Sequence, residues 1–218
     1  MPRTGNWKTW KVVSINHGQY RSSSRFLQRS LVKRLPLLKD VGWCFGSAIE
    51  WCLAVRRDPS GTAEQRIERV EARLEGVVSR EFLHAETIDY VPECNGRDFA
   101  GYLDNMCRVS RLKFVFKHGT EVPDGILGIL QLVTQTTGKG LYLLQMSTAD
   151  DGIEHVAAVS AAGDGTSNFF DENFGEIEIG KFQMARFLTD YYAHYGEEDI
   201  SFDLVDVYGV HTAPSLPS

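Results

Sequence analysis

Residues 42–51 read GWCFGSAIEW. A cysteine stands between two aromatic residues, and Gly46 and Ser47 open a stretch that predicts a buried helix running to about Val55. That helix should bury Ile49, Leu53 and at least one of Trp43 and Trp51. With Cys44 in its first turn, the unbonded N–H groups and the positive end of the helix dipole favour a thiolate. A nucleophilic cysteine needs such a place, yet free cysteines are also commonly small buried hydrophobes. The stretch alone leaves both roles open.

Upstream, KTWKVVSIN (8–16) alternates and predicts a first strand. Residues 22–35 are basic, with Phe26, Leu27, Leu31 and Leu35 near helical spacing until Pro36 ends the pattern. Downstream, Asp58-Pro59-Ser60-Gly61 is a turn. Ile67, Val70, Leu74, Val77 and Val78 then predict an amphipathic helix, solvated on its Glu/Arg face and without chemistry. Residues 84–96 read as a loop, and 97–110 as a helix burying Phe99, Leu103, Met106 and Cys107. KFVFK (113–117) reads as a short strand or the end of that helix, and a buried helix follows Pro123-Asp124-Gly125.

Beyond residue 139 the character changes. GLYLLQMS (140–147), GIEHVAAVSAA (152–162), SNFFD (167–171) and EIEIG (176–180) predict successive strands, with ADDG and AAGDGT as hairpin turns. A helix over about 181–195 and a strand over 199–210 complete the pattern. The class is α+β, a helical first half packed on an antiparallel β-sheet. The expected divisions are a basic leader or extension at 1–38, one folded domain at 39–211 and a disordered tail at 212–218.

A length of 218 residues with 43% hydrophobic content suits one large domain or two tightly packed lobes. No apolar run reaches membrane-span length, and no Sec-type signal peptide is visible. The four cysteines, at 44, 52, 94 and 107, form no CxxC pair, which speaks against a zinc ribbon, and although an even count allows disulfides, without a visible signal peptide all four are read as thiols. The net charge of −6 hides an asymmetry: residues 1–40 hold nine Lys/Arg and one acid. Such an end is read as a targeting leader, as a contact with a membrane surface, or as a surface helix on an acidic body. Its aromatics, Trp7, Trp10, Tyr20 and Phe26, fit no nucleic-acid module, so no nucleic-acid partner is expected.

A thiol nucleophile needs a base, and the base needs an orienting partner. His155, in GIEHVAAVSAA, and Asp171, ending SNFFD, fall at one end of adjacent predicted strands. Asp171 can hold one imidazole nitrogen while the other faces Cys44. His17, His84, His118, His194 and His211 are read as structural or solvated. No HExxH, Walker A or GxGxxG motif occurs, and GDGTSN (163–168) reads as a turn.

The three blocks GWCFGSAIEW, GIEHVAAVS and FFDENFGEIEI, in that order, resemble the YopT/AvrPphB-type cysteine proteases of the papain-like group. The third block is the most specific, since that family follows its acid with Asn-x-Gly-Glu, here Asn173-Phe174-Gly175-Glu176. Arylamine acetyltransferases and transglutaminases use Cys, His and Asp with a shorter Cys-to-His spacing than the 111 residues here. The resemblance implies a papain-like fold with catalytic Cys44, His155 and Asp171, and peptide-bond hydrolysis through an acyl-thioenzyme without metal or organic cofactor. It further implies a bacterial effector or toxin, exported by a non-Sec route into a target cell, with a basic segment of a host GTPase or kinase as substrate. One departure stands out. The family's Gln or Asn five or six residues before the cysteine is replaced by Lys39 and Leu38, leaving Lys39, Gln28 or Gln19 as candidate oxyanion donors beside the Cys44 N–H. A glutamine deamidase or transglutaminase-like toxin on the same triad, or a non-catalytic binding domain, are the alternatives.

Overall fold

The computed structural model describes residues 21–24, 44–73, 76, 112–121, 140–147, 154–181, 183–197 and 204–212. Its centre is a seven-stranded antiparallel sheet. The strands are β1 (Arg21–Ser24), β2 (Leu112–Glu121), β3 (Gly140–Ser147), β4 (Glu154–Ala161), β5 (Ser167–Asp171), β6 (Gly175–Ile179) and β7 (Leu204–Thr212), in the spatial order β1-β6-β5-β4-β3-β7-β2. Helices α1 (Cys44–Arg57), α2 (Ala63–Ala72) and α3 (Met184–Glu197) cover it.

The central strands are apolar at both parities, so both faces must be covered. Leu143, Val156, Ala158, Phe170, Tyr208 and Val210 pack with Ile49, Trp51, Cys52 and Val55 of α1 and with Ile67 and Val70 of α2. The alternate residues Tyr142, Leu144, Met146, Ala157, Val159, Phe169 and Val207 pack with Met184, Phe187, Leu188 and Tyr191 of α3. The sheet therefore has helices on both faces, one layer more than a helical half laid on a sheet. Phe169 and Phe170 show the division. Phe170 stacks on Trp51 with ring centroids 5.5 Å apart, and Phe169 meets Phe187 and Tyr191 edge-on at 4.8 and 4.9 Å. Burying a side chain of this size stabilises the fold by roughly 1.5–3 kcal/mol.

The strands of the second half form where alternation and turn residues put them. The AAGDGT turn closes with Gly163 and Gly165 at positive φ, and Asp164 accepts from both the amide and the hydroxyl of Thr166. KFVFK lies inside the longer β2, paired with β7. Helix α2 opens on a capping box, Thr62 accepting from the Gln65 amide while Gln65 accepts from the Thr62 amide.

One expectation is corrected. Residues 22–24, read as the start of a basic helix, extend along β6, with Arg21 opposite Glu178 and Ser22 opposite Ile177. Four residues of the basic N-terminal segment thus complete the sheet edge. The Ser run lacks the apolar face a helix needs, and β6 offers an unpaired ladder. The expected strand at 8–16, the helices at 97–110 and after Pro123, and the ADDG turn lie outside the described residues.

Candidate active site

The site is built at one end of the sheet, where β4 begins and β5 ends. His155 is the second residue of β4 and lies opposite Met146 of β3. The β4–β5 ladder last pairs Ala158 with Phe170. Continuing that register places His155 diagonal to Asp171 on the same face, within reach of a long side chain. The His155 Nε2 lies 2.6 Å from Asp171 Oδ2.

Asp171 has no exposed surface, and its carboxylate is held on several sides. The Tyr191 hydroxyl, from α3, donates to Oδ2 at 2.5 Å, and the Asn173 amide donates to Oδ1 at 2.7 Å. Burial pushes the Asp171 carboxyl up. The charge of His155 and the hydrogen bonds from His155, Tyr191 and the Asn173 amide outweigh burial and hold it below its ordinary value. Asp171 is therefore an ionised acceptor for the imidazole.

The Asn-x-Gly-Glu run now has a physical meaning. Asn173 binds the carboxylate through its amide, and the Phe174 amide donates to the Asp171 carbonyl. Gly175, at φ 84°, takes the left-handed conformation that closes the turn into β6. Glu176 is fully buried. It accepts from the Trp51 indole at 2.8 Å and from the Arg66 Nε at 2.9 Å, and pairs with Arg66 Nη2 as well. Arg66 also donates to the Gly61 carbonyl. One carboxylate thus ties β6 to both α1 and α2. The reading of α2 as a helix without chemistry missed this buried arginine, because Arg66 is indistinguishable in sequence from the half-buried Arg69, which pairs with Asp58, and the exposed Arg73.

Cys44 is the first residue of α1 and is buried. Its sulfur, a ring nitrogen of His155 and a carboxylate oxygen of Glu172 all lie within 4.8 Å of one another. With Nε2 engaged by Asp171, Nδ1 is the nitrogen left for the thiol. The structure therefore gathers Cys44, His155 and Asp171, and adds Glu172, which is buried in the turn after β5. Sequence reasoning passed over Glu172. Its only signal was adjacency to Asp171, and a continued strand would have sent it to the opposite face.

The other thiol in α1 differs. Burial pushes Cys52 up to about 12, with the charge of Arg56 opposing only in part, so it stays protonated. Cys94, Cys107, Lys39, Leu38, Gln28 and Gln19 lie outside the described residues, as do His17 and His84. His118 lies in β2, His194 in α3 and His211 in β7.

Residues 108–207 match the Peptidase_C58 family model, described as the Yersinia/Haemophilus virulence surface antigen. The match takes in His155, Asp171 and the Asn-x-Gly-Glu run and begins after Cys44. The fold is similar to the crystal structure of the Pseudomonas avirulence protein AvrPphB, with a TM-score of 0.61 and 17% identity, over 78% of this chain and 91% of that one. That likeness shows the papain-like fold, and the resemblance to the YopT/AvrPphB type is borne out by family match and fold together. No curated protein matches the chain in sequence. Among the described residues, no helix is long and apolar enough to cross a membrane.

Proposed function

We propose that this chain is a cysteine endopeptidase in which Cys44 is the nucleophile, His155 the base and then the acid, and Asp171 the orienting residue. The observation that carries the reading is His155, pinned through Nε2 to a buried carboxylate, with its ring within 4.8 Å of a sulfur at a helix start. Asp171 accepts a hydrogen bond from the Nε2–H, which selects the tautomer whose Nδ1 lone pair can take a proton. His155 takes the thiol proton, and the sulfur attacks the scissile carbonyl carbon. The Cys44 N–H at the open end of α1 supplies one donor to the resulting oxyanion. His155 returns the proton to the leaving amine, and the acyl-thioenzyme remains. Water, deprotonated by His155, then cleaves the thioester and restores the thiol.

The family match supports a protein substrate; we infer from charge that it is presented as a basic segment, such as that of a host GTPase or kinase, to an effector delivered into another cell. Between Asp150 and Glu178 stand eight acids and no Lys or Arg. Several are committed elsewhere. Glu176 pairs with Arg66, Asp171 holds His155, and Asp164 lies in the β4–β5 turn near Lys181. Glu172 is the acid beside the thiol, and Asp150 and Asp151 lie outside the described residues.

Profiling new protein N-termini in a host lysate, with Cys44→Ala as control, tests the reading. The expected result is cleavage beside Lys or Arg, with kcat/KM falling as ionic strength rises. Neutral flanking residues and no salt dependence would remove the charge argument. Amide-to-acid mass shifts without new N-termini would reassign the same residues to glutamine deamidation.

A further inference from the structure

We propose that Cys44, His155 and Glu172 form an inhibitory site for Zn2+, so that the thiol which attacks substrate is also a metal ligand. The peptidase does not require Glu172 for any step above. Among the described residues the site holds three acidic groups, the Cys44 thiol and the Asp171 and Glu172 carboxyls, around one imidazole. All of these residues are buried. In such a buried place a divalent cation is held only by ligands that replace its water and offset its charge. Thiolate and carboxylate together balance the charge of one divalent ion.

The donor set selects the metal. Sulfur, imidazole nitrogen and carboxylate oxygen are the ligands of Zn2+, whereas Mg2+ and Ca2+ prefer oxygen alone. Tetrahedral zinc, with bonds of about 2.0–2.3 Å, places its ligands roughly 3.3–3.6 Å apart. The three donors, already within 4.8 Å, need to close by roughly 1.2–1.5 Å at most. They come from the start of α1, the start of β4 and the β5–β6 turn, and with every pair within 4.8 Å three non-bonded atoms cannot lie in a row. Three protein ligands leave a fourth position for water.

The supporting contacts of the ligands are also present. A metal-bound histidine commonly gives its other N–H to a carboxylate, which fixes the ring. Asp171 does this for His155, and is itself held by Tyr191 and the Asn173 amide. On binding, the thiol proton leaves to solvent, the imidazole binds as the neutral ring, and no electron changes hands. The ion then sits on the nucleophilic sulfur, and removing it restores the thiol.

The site rests on the peptidase reading only for its inhibitory consequence; binding is measured without turnover. The full chain, freed of metal, is titrated with Zn2+ against a chromophoric chelator and, separately, with Co2+. One ion per chain is expected, with a thiolate-to-cobalt charge-transfer band and with Cys44 shielded from iodoacetamide until EDTA is added. Glu172→Gln is expected to weaken Zn2+ by about 10–100-fold or more, since even indirect partners of a ligand cost that much. Cys44→Ser is expected to erase the charge-transfer band. Absence of one-to-one binding overturns the proposal, as does equal affinity in a Glu172→Gln variant whose circular dichroism matches the parent. The shielding arm uses the unaltered chain, so it decides the question if that variant does not fold, and unshielded Cys44 overturns the site. Tight Zn2+ binding without proteolysis in EDTA would leave the metal site standing and remove the peptidase reading. Proteolysis that Zn2+ does not slow would remove the inhibitory site alone.

Discussion

Asp171 and Glu176 stand five residues apart, on either side of one tight turn, and neither has any exposed surface. Asp171 faces α3 and holds a histidine. Glu176 faces α1 and α2 and holds an arginine. Burial alone therefore does not mark the chemical residue. The guanidinium grips Glu176 at two points, Nε on one carboxylate oxygen and Nη2 on the other, so this pair is a fixed clamp. The imidazole holds Asp171 through one ring nitrogen and has a second through which a proton can pass, so this pair can serve a reaction. The turn that joins the two carboxylates makes one positional unit of them: the clamp sets where α1, and with it Cys44, lies against the strand that carries Asp171.

Substitutions on the two sides should separate these roles. The largest effect is expected at Cys44 and His155, the proposed nucleophile and base. Cys44→Ala and His155→Ala should each lower turnover by about 10⁴-fold or more, since nucleophile and base act as one unit. Their unfolding midpoints should stay near that of the parent. A His155→Ala variant with substantial activity would break the assignment.

Next comes the clamp. Glu176→Ala leaves the Arg66 guanidinium buried without its carboxylate and the Trp51 indole without its acceptor. A loss of about 3–5 kcal/mol in denaturant unfolding is expected. Replacing Arg66 and Glu176 together by apolar residues of similar volume should recover much of it, as removing both charges removes the unpaired one. If Glu176→Ala left stability unchanged but abolished turnover, the two carboxylates would have been assigned the wrong way round.

Asp171→Asn is expected to be milder than loss of the base. An amide oxygen can still orient the imidazole, so the cost is one charged hydrogen bond, about 1.5–3 kcal/mol, or roughly 10–100-fold in kcat/KM. A folded Asp171→Asn chain as inactive as His155→Ala would mean that the carboxylate has a further role.

The smallest effect is on acid stability. The folded-state Asp171 carboxyl is held below its ordinary value of 3.8. The unfolded chain therefore takes up this proton first as pH falls. The stabilisation is fully present above the ordinary value and is lost as pH falls through the lower folded one. Denaturant midpoints measured down the acid limb should drop more in the parent than in Asp171→Asn. Parallel curves would show that the carboxyl is not depressed.

Much of this architecture was legible in the chain because it is locally encoded. Strand alternation placed β3 and β5 at their observed bounds, and turn residues placed the hairpin between β4 and β5. The cysteine between aromatics does open a helix, and the three sequence blocks do meet in space. Other features were not legible, because their partners lie far apart in sequence. Nothing near Arg66 distinguishes it from Arg69 and Arg73 in the same stretch. Nothing near Arg21–Ser24 signals the edge of β6.

The sequence by itself determined an antiparallel sheet with a buried helix opening on Cys44, since periodicity and turn chemistry act over a few residues. Only the tertiary structure decided which buried acid meets which base. Glu176 reaches Arg66 across 110 residues and Trp51 across 125, while Tyr191, on the sheet face away from Arg66, pins Asp171. Such pairings depend on how layers stack. In a dry interior each charge must find its partner, and the packing of α1, α2 and α3 on the two faces of the sheet settles which partner is within reach.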